Sequence, residues 1–171
     1  MSKRFLIIMG VLVALFVGFL VFGKSNESAD APVDVASGSS HIKGNESANV
    51  RLVEFGDFQC PTCATYKPIV EELLNEYGDR VAFQFRHYPI VQIHDKAMVA
   101  HRAAEAAGKQ GKFFQMHDLL YERQQIWSNS SNPTTIMEDY ATELALNIDR
   151  FKEDFARAAT NDIITAGTKI G

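Results

Sequence analysis

Hydrophobic and polar positions divide the chain into an apolar start, a polar stretch and a patterned remainder. Residues 5–22 form an uncharged apolar run of 18 residues. As a helix, that run would be about 27 Å long, which is enough to cross the core of a bilayer. Lys3 and Arg4 precede the run, so the positive charge predicts a cytoplasmic N-terminus. We therefore predict an uncleaved membrane anchor over residues 1–23; the alternative is a signal peptide cleaved after the small residues near Ala31.

The patterned remainder begins with two predicted strands joined by a helix. Residues 24–40 are rich in Ser, Ala, Asp and Asn and predict a flexible linker to a folded domain over residues 41–171. Residues 50–56 are nearly all apolar or β-forming, which favours a strand that is buried on both faces. A helix over residues 60–77 and a second strand over residues 81–86 follow. Strand, helix and strand in that order predict a right-handed crossover between parallel strands.

The sequence from about residue 94 to about residue 160 is helical in pattern. Successive helices are predicted over residues 95–108, 111–125 and 133–146, with one more from Asp149. The first of these carries alanines on one face, so we expect close packing there. The domain is therefore α/β, with its helices concentrated after the second strand.

Cys60-Pro-Thr-Cys63 contains the only two cysteines of the chain. The pair lies where the first strand ends and a helix begins, and a helix N-terminus stabilises a thiolate. Such a pair beside a strand–helix–strand unit is typical of thioredoxin-like redox proteins. A structural zinc site usually needs four Cys or His ligands, and the five histidines lack the usual paired spacing. We therefore predict a redox-active Cys60–Cys63 disulfide, with no other cofactor and no metal.

Composition limits the partners. The formal net charge is −4, from 17 Lys and Arg against 21 Asp and Glu, and no basic stripe is present. Nucleic acid is therefore not an expected partner. Two cysteines suit an oxidising compartment, so we expect the domain to lie outside the cytoplasm, held at the cell membrane by the anchor or secreted if the signal is cleaved.

Four segments together resemble one family. They are residues 52–63, 85–89, 110–118 and 140–151, and they are similar to the DsbA-like thiol–disulfide oxidoreductases, in particular their membrane-anchored bacterial members. The resemblance implies a thioredoxin-like fold with a helical insertion at about residues 94–160. In that family a cis-proline loop and further strands follow the insertion. The resemblance therefore also implies a chain truncated before the cis-proline loop, without the C-terminal strands.

The same resemblance implies site residues. Cys60 corresponds to the exposed attacking cysteine and Cys63 to the more buried resolving cysteine. Glu54 corresponds to a buried acidic residue beneath the disulfide, whose raised pKa would let it relay the proton of Cys63. The alternative for Glu54 is an exposed position at the end of a strand.

Three residues of the first helix are expected to support the active site. Pro61 suits the first turn of a helix, where a missing N–H has no consequence. Thr62 is the second residue between the cysteines, and Pro68 is expected to kink the helix. His87 and His94 are interpreted as structural.

The implied activity is donation of the Cys60–Cys63 disulfide to reduced exported proteins through a mixed disulfide. Recycling by a quinone-linked membrane oxidase of the DsbB type is implied by the resemblance alone. A disulfide reductase or isomerase on the same scaffold remains open, as does a metal-binding or thiol-binding module that uses the two cysteines as ligands. A remnant without catalytic activity is a third alternative.

Overall fold

The computed structural model describes residues 41–168. The strands are β1 (Ile42–Gly44), β2 (Val50–Gly56) and β3 (Val81–His87), and the helices are α1 (Pro61–Tyr77), α2 (Ala97–Gly108), α3 (Phe113–Glu122), α4 (Gln124–Ser128), α5 (Pro133–Glu143), α6 (Ile148–Ala156) and α7 (Ala158–Gly167). The predicted anchor over residues 1–23 and linker over residues 24–40 lie outside this part of the chain. None of the helices within residues 41–168 is long and apolar enough to span a membrane.

The three strands form one sheet in the order β1-β3-β2. β2 and β3 run parallel, paired from Val50 opposite Val81 to Gly56 opposite His87, which confirms the predicted parallel pairing of the strands that α1 joins. The right-handed sense of the crossover stays a prediction. β1 pairs antiparallel with β3. β1 was not predicted, because a strand of three residues is too short to show a pattern.

The prediction that β2 is buried on both faces is wrong. Val50 is 58% exposed and Phe55 is 40% exposed, whereas every residue of β3 is buried. Among the described residues β2 lies at an edge of the sheet, and only β3 has a strand on each side. Apolar composition therefore did not distinguish the central strand from the edge strand. That further C-terminal strands are missing stays a prediction.

The helical region follows the predicted order with shifted bounds. The helix expected over residues 111–125 is two helices, α3 and α4, that meet at Arg123. The helix expected over residues 133–146 ends at Glu143, and the last helix continues to Gly167, beyond the predicted insertion. Each difference concerns where a helix ends, which tertiary contacts decide more than local pattern does.

The core lies between the sheet and the alanine face of α2. Six alanines of that helix are fully buried: Ala97, Ala100, Ala103, Ala104, Ala106 and Ala107. Their small side chains allow α3, α6 and α7 to pack closely against α2, as the alanine pattern predicted. Phe58 stacks on Phe85 at a centroid distance of 5.0 Å, which joins the loop between β2 and α1 to the central strand β3.

The helix that carries the cysteines lies on the outside of this core. α1 has no fully buried residue, although Cys63, Val70 and Leu74 pack partly against the core. It ends at Gly78, as predicted, where φ is 53° and the backbone N–H bonds to the carbonyl of Leu74. The left-handed conformation there favours glycine and turns the chain toward β3.

Candidate active site

Cys60 occupies the N-cap position of α1, and Cys63 lies one turn further along. Pro61 is at the start of the helix, where its missing N–H leaves no hydrogen bond unmade. Both cysteines are half-buried and carry free thiols. Burial raises the pKa of Cys63 to about 11, and the neighbouring Cys60 adds to that rise. Cys63 is therefore protonated at neutral pH, which leaves Cys60 as the better candidate for the attacking thiolate.

Asp57 holds the loop that leads from β2 to Cys60. Its side chain is 2% exposed and accepts hydrogen bonds from the backbone N–H of Gln59 at 2.8 Å and of Ile90 at 2.8 Å. His94 Nδ1 lies 2.7 Å from the same carboxylate, and the Asp57 carbonyl accepts from the N–H of Cys60 at 3.0 Å. The loop is thus fixed both by the backbone and by the side chain of one residue.

The carboxyl of Asp57 is ionised at neutral pH. Burial acts to raise its pKa, but the nearby His101 ring and the hydrogen bonds from His94 and from two backbone N–H groups outweigh burial and lower the pKa to about 2. Asp57 was not among the predicted site residues. The only local signal was its position in a short turn between a strand and a helix, where aspartate commonly bonds to the backbone two residues on.

Gln124 fixes the same loop from the other side. It is 4% exposed, and its Nε2 donates to the carbonyls of Phe58 at 2.8 Å and of Cys60 at 2.9 Å. The Cys60 carbonyl also accepts from the backbone N–H of Ala64 at 3.2 Å, so Gln124 adds a second hydrogen bond there. Gln124 lies 64 residues from Cys60 along the chain, so nothing in the local sequence could indicate this contact.

Glu54 and Cys63 line the same open pocket, of about 270 Å³, together with Thr62. Burial raises the pKa of Glu54, and a hydrogen bond from the Tyr121 hydroxyl, at 3.3 Å, opposes that rise. The negative charge of Glu54 in turn contributes to the raised pKa of Cys63. A half-buried carboxyl with a raised pKa beside a thiol is suited to exchange a proton with it.

Gly56 permits this arrangement. A Cβ at that position would overlap the ring of Phe85 and lie 2.8 Å from the Tyr121 hydroxyl. Tyr121 can therefore reach Glu54 only because residue 56 has no side chain.

Pro68 lies inside α1, as predicted. Its nitrogen cannot donate to the carbonyl of Ala64, yet the helix continues to Tyr77. The predicted kink and the supporting role of Pro68 stay predictions, as does the role of Thr62.

The two histidines interpreted as structural both contact buried carboxylates. His94 bonds to Asp57, and His87 Nε2 lies 2.6 Å from Glu105 Oε1. Burial acts to raise the pKa of Glu105, but hydrogen bonds from His41 and His87 lower it to about 2. Glu105 was not predicted as a site residue, because its partners, His41 just before β1 and His87 at the end of β3, are distant along the chain.

Residues 36–170 match the thioredoxin family, under the name Thioredoxin_4. The chain belongs to the thioredoxin family. The structure is also similar to a thioredoxin-like oxidoreductase from Silicibacter pomeroyi, with a TM-score of 0.62, 26% identity, and coverage of 76% of this chain and 70% of that one.

A second structural neighbour shows the fold in more detail. The thiol-disulfide exchange protein alpha-DsbA2 from Wolbachia pipientis aligns with a TM-score of 0.65 and 20% identity, covering 80% of this chain and 69% of that one. At that identity the likeness concerns the fold. The thioredoxin-like α/β fold with a helical insertion, expected from the sequence, is therefore confirmed.

The curated relatives are much longer proteins. The Na(+)/H(+) antiporter NhaA 1 of Salinispora arenicola is 40% identical over 136 residues, which are 80% of this chain and 20% of that protein. The chain thus spans about a fifth of the length of the curated relatives it matches. That name describes the whole antiporter, and the similarity concerns a portion of it.

Proposed function

We propose that this chain is a thiol–disulfide oxidoreductase that donates its Cys60–Cys63 disulfide to reduced protein substrates. The observation that carries the proposal is the position of Cys60 at the N-terminus of α1, one turn from a Cys63 thiol that burial keeps protonated. Membership of the thioredoxin family and a DsbA-like fold support the same chemistry.

The reaction begins with a substrate thiolate that attacks the Cys60 sulfur of the disulfide. A bond forms between the substrate and Cys60, the bond between the two cysteines breaks, and Cys63 leaves with the electron pair. A second substrate thiolate then attacks the substrate sulfur of the mixed disulfide and releases Cys60 as a thiolate. The substrate loses two electrons and forms its own disulfide, while Cys60 and Cys63 become reduced.

Glu54 is proposed to serve the step in which Cys63 leaves. Because the pKa of Cys63 is raised to about 11, its thiolate is a poor leaving group unless a proton reaches it. The pKa of Glu54 is also raised by burial, so its carboxyl can hold a proton closer to neutral pH and supply it within the shared pocket. In the reverse reaction the same carboxylate accepts the proton of Cys63.

The proposal extends to location and partners. The apolar run over residues 5–22 supports an anchor that places the domain outside the cytoplasm, where exported proteins are oxidised. A quinone-linked membrane oxidase of the DsbB type is the proposed acceptor of the electrons. Nucleic acid is not a proposed partner, since the net charge is −4.

The reduction potential tests the direction of the reaction. The full chain would be equilibrated with mixtures of reduced and oxidised glutathione, and the oxidised fraction would be measured by thiol alkylation and intact mass. We expect a potential above about −200 mV, on the oxidising side of the glutaredoxins. A potential below about −250 mV would identify a reductase, and zinc retained by Cys60 and Cys63 after anaerobic purification would identify a metal-binding module.

The oxidation of a reduced unfolded protein by the full chain tests the activity itself. Cys60→Ser and Cys63→Ser are the matched controls, because each removes one sulfur and leaves the fold-forming contacts of Asp57 and Gln124 in place. We expect both variants to lose this activity. Oxidation at the wild-type rate in either variant would contradict the proposal.

A further inference from the structure

His41, His87 and Glu105 converge on one point away from the cysteines. The Nε2 atoms of His41 and His87 lie 2.8 Å and 2.6 Å from the same atom, Glu105 Oε1. The three ligand atoms all lie within 4.8 Å of one another. They come from the residue before β1, from the end of β3 and from the last turn of α2, so only the folded domain brings them together.

The convergence is held in place by close packing. The His41 ring stacks on the ring of Phe113 with centroids 3.5 Å apart and an angle of 10°. A Cβ at Gly108 would lie 2.8 Å from His41 Cε1, so the absence of a side chain there admits the imidazole. His87 is 1% exposed and Glu105 is 4% exposed, which leaves His41 as the member of the triad that borders solvent.

We propose that His41, His87 and Glu105 bind a single divalent transition-metal ion of the zinc class. Two imidazoles and one carboxylate are a donor set that zinc uses with a fourth position left open. In a tetrahedral site the ligand atoms would lie about 3.3 Å apart. The observed separations from Glu105 Oε1 are shorter than that by about 0.7 Å or less, so small side-chain movements would admit the ion.

The surroundings of His87 favour a metal over hydrogen bonds alone. His87 Nδ1 lies 2.5 Å from His101 Nδ1, so one of these nitrogens donates and the other accepts. His101 Nε2 is buried, lies 3.8 Å from Asp57 Oδ1 and has no hydrogen-bond partner among the described residues. If His87 donates from Nε2 to Glu105, the proton between the histidines belongs to His101, and the neutral His101 then presents a bare Nε2 lone pair toward a carboxylate.

A metal at His87 Nε2 removes this conflict. The His87 proton then sits on Nδ1 and is donated to His101 Nδ1, and the His101 proton sits on Nε2 and faces Asp57. Metal-bound histidines commonly donate their other N–H to such a partner, which fixes the ring and its tautomer. The residues behind the triad are therefore already arranged as the outer shell of a metal site.

A cleft of about 440 Å³ gives the ion a route to the triad. It is open to solvent and is lined by His41, Gly108 and Phe113. Lys43 also lines it, with its ammonium 5.9 Å from the centroid of the Phe114 ring. The ligand set, the outer shell and the entry path together meet the requirements of a metal site.

Metal titration of the full chain tests this proposal. The tag-free chain would carry Cys60→Ser and Cys63→Ser, so that the cysteines cannot contribute ligands, and it would be freed of metal with a chelator. We expect one equivalent of zinc by calorimetry, one equivalent of cobalt with the visible absorption of a low-coordinate site, and a melting temperature that rises with zinc concentration.

Single substitutions in that background then assign the ligands. His41→Phe keeps a ring stacked on Phe113 but removes both nitrogens, and Glu105→Gln removes the carboxylate; we expect each to weaken zinc binding by about 100-fold or more. His101→Asn should weaken it by about 10–100-fold. His94→Gln is the matched control, because His94 contacts Asp57 but not the triad, and it should keep the parent affinity.

Three outcomes would overturn the proposal. One is that the chain without cysteines binds less than one equivalent of either metal. The second is that folded His41→Phe and folded Glu105→Gln, checked by circular dichroism, both bind zinc as tightly as the parent. The third is that His94→Gln loses as much affinity as they do. None of these outcomes depends on thiol–disulfide exchange, because the cysteines are absent throughout.

Discussion

Replacing Asp57 by Asn should destabilise the domain in a manner that depends on pH. A carboxyl whose pKa falls from its ordinary value of 3.8 to about 2 on folding stabilises the folded state by about 2 kcal/mol at neutral pH. Asn has nearly the same shape, but its amide nitrogen would face a backbone N–H group from which the Asp57 carboxylate accepts a hydrogen bond. We therefore expect a loss of about 2–4 kcal/mol at pH 7.

The lowered pKa of Asp57 determines how the free energy of unfolding changes with pH. The stabilisation is fully present above the unfolded-state pKa of 3.8 and is lost as the pH falls through about 2, because protons then bind the folded state as well. The difference in free energy of unfolding between wild type and Asp57→Asn should therefore be constant above about pH 5. It should shrink by about 1 kcal/mol at pH 3 and by about 2 kcal/mol at pH 2.

Urea unfolding followed by circular dichroism from pH 5 to pH 2 measures this difference. Asp95→Asn is the matched control, because Asp95 is also bonded to the loop, through Gln59 Nε2 at 3.1 Å, but is exposed to solvent. Solvent screens that carboxylate, so its substitution should change the pH dependence far less. A difference between wild type and Asp57→Asn that stays constant down to pH 2 would refute the assigned role of the buried carboxylate.

Three further substitutions test the surroundings of the cysteines. Glu54→Gln should slow disulfide exchange near neutral pH, because it removes the proton donor and acceptor beside Cys63. The melting temperature should stay unchanged or rise, since the raised pKa of Glu54 shows that its charged form is unfavourable in the fold. Wild-type kinetics from pH 5 to pH 8 in this variant would contradict the proton relay. Gln124→Leu removes one hydrogen bond from each of the Phe58 and Cys60 carbonyls and should cost about 1–3 kcal/mol in urea unfolding. An unchanged unfolding midpoint would contradict the role of Gln124 in fixing the loop. Gly56→Ala should cost about 1–3 kcal/mol because its Cβ overlaps Phe85; equal stability by thermal unfolding would show that the neighbouring rings can move.

The elements with a local pattern could be predicted from the sequence. The bounds of β2, the C-terminal stop at Gly78 and the alanine face of α2 all depend on residues that are neighbours along the chain. The position of β2 at the sheet edge could not be predicted in this way, since burial depends on which strands lie beside it. β1 could not be predicted, because its three residues are too few to show an alternation of apolar and polar positions.

In the candidate site, too, only the residues with a local sequence signal could be predicted. The cysteine pair could be predicted from the sequence, because its spacing and its place at a helix start are local properties. Asp57 and Gln124 could not be selected, since the groups that they bind lie 33 and 64 residues away along the chain. The contact between His41 and Glu105 likewise joins residues 64 positions apart, which no spacing rule for histidines detects.

The most direct test of the central claim is the rate at which each single-cysteine variant forms a mixed disulfide. Cys63→Ser and Cys60→Ser would be incubated with oxidised glutathione at mildly acidic pH, and the glutathione adduct would be followed by intact mass. Cys60 lies at the helix N-terminus, whereas the pKa of Cys63 is raised by burial, so the adduct should form at least about tenfold faster on Cys60. Equal rates, or faster reaction of Cys63, would contradict the assignment of Cys60 as the exchanging thiol.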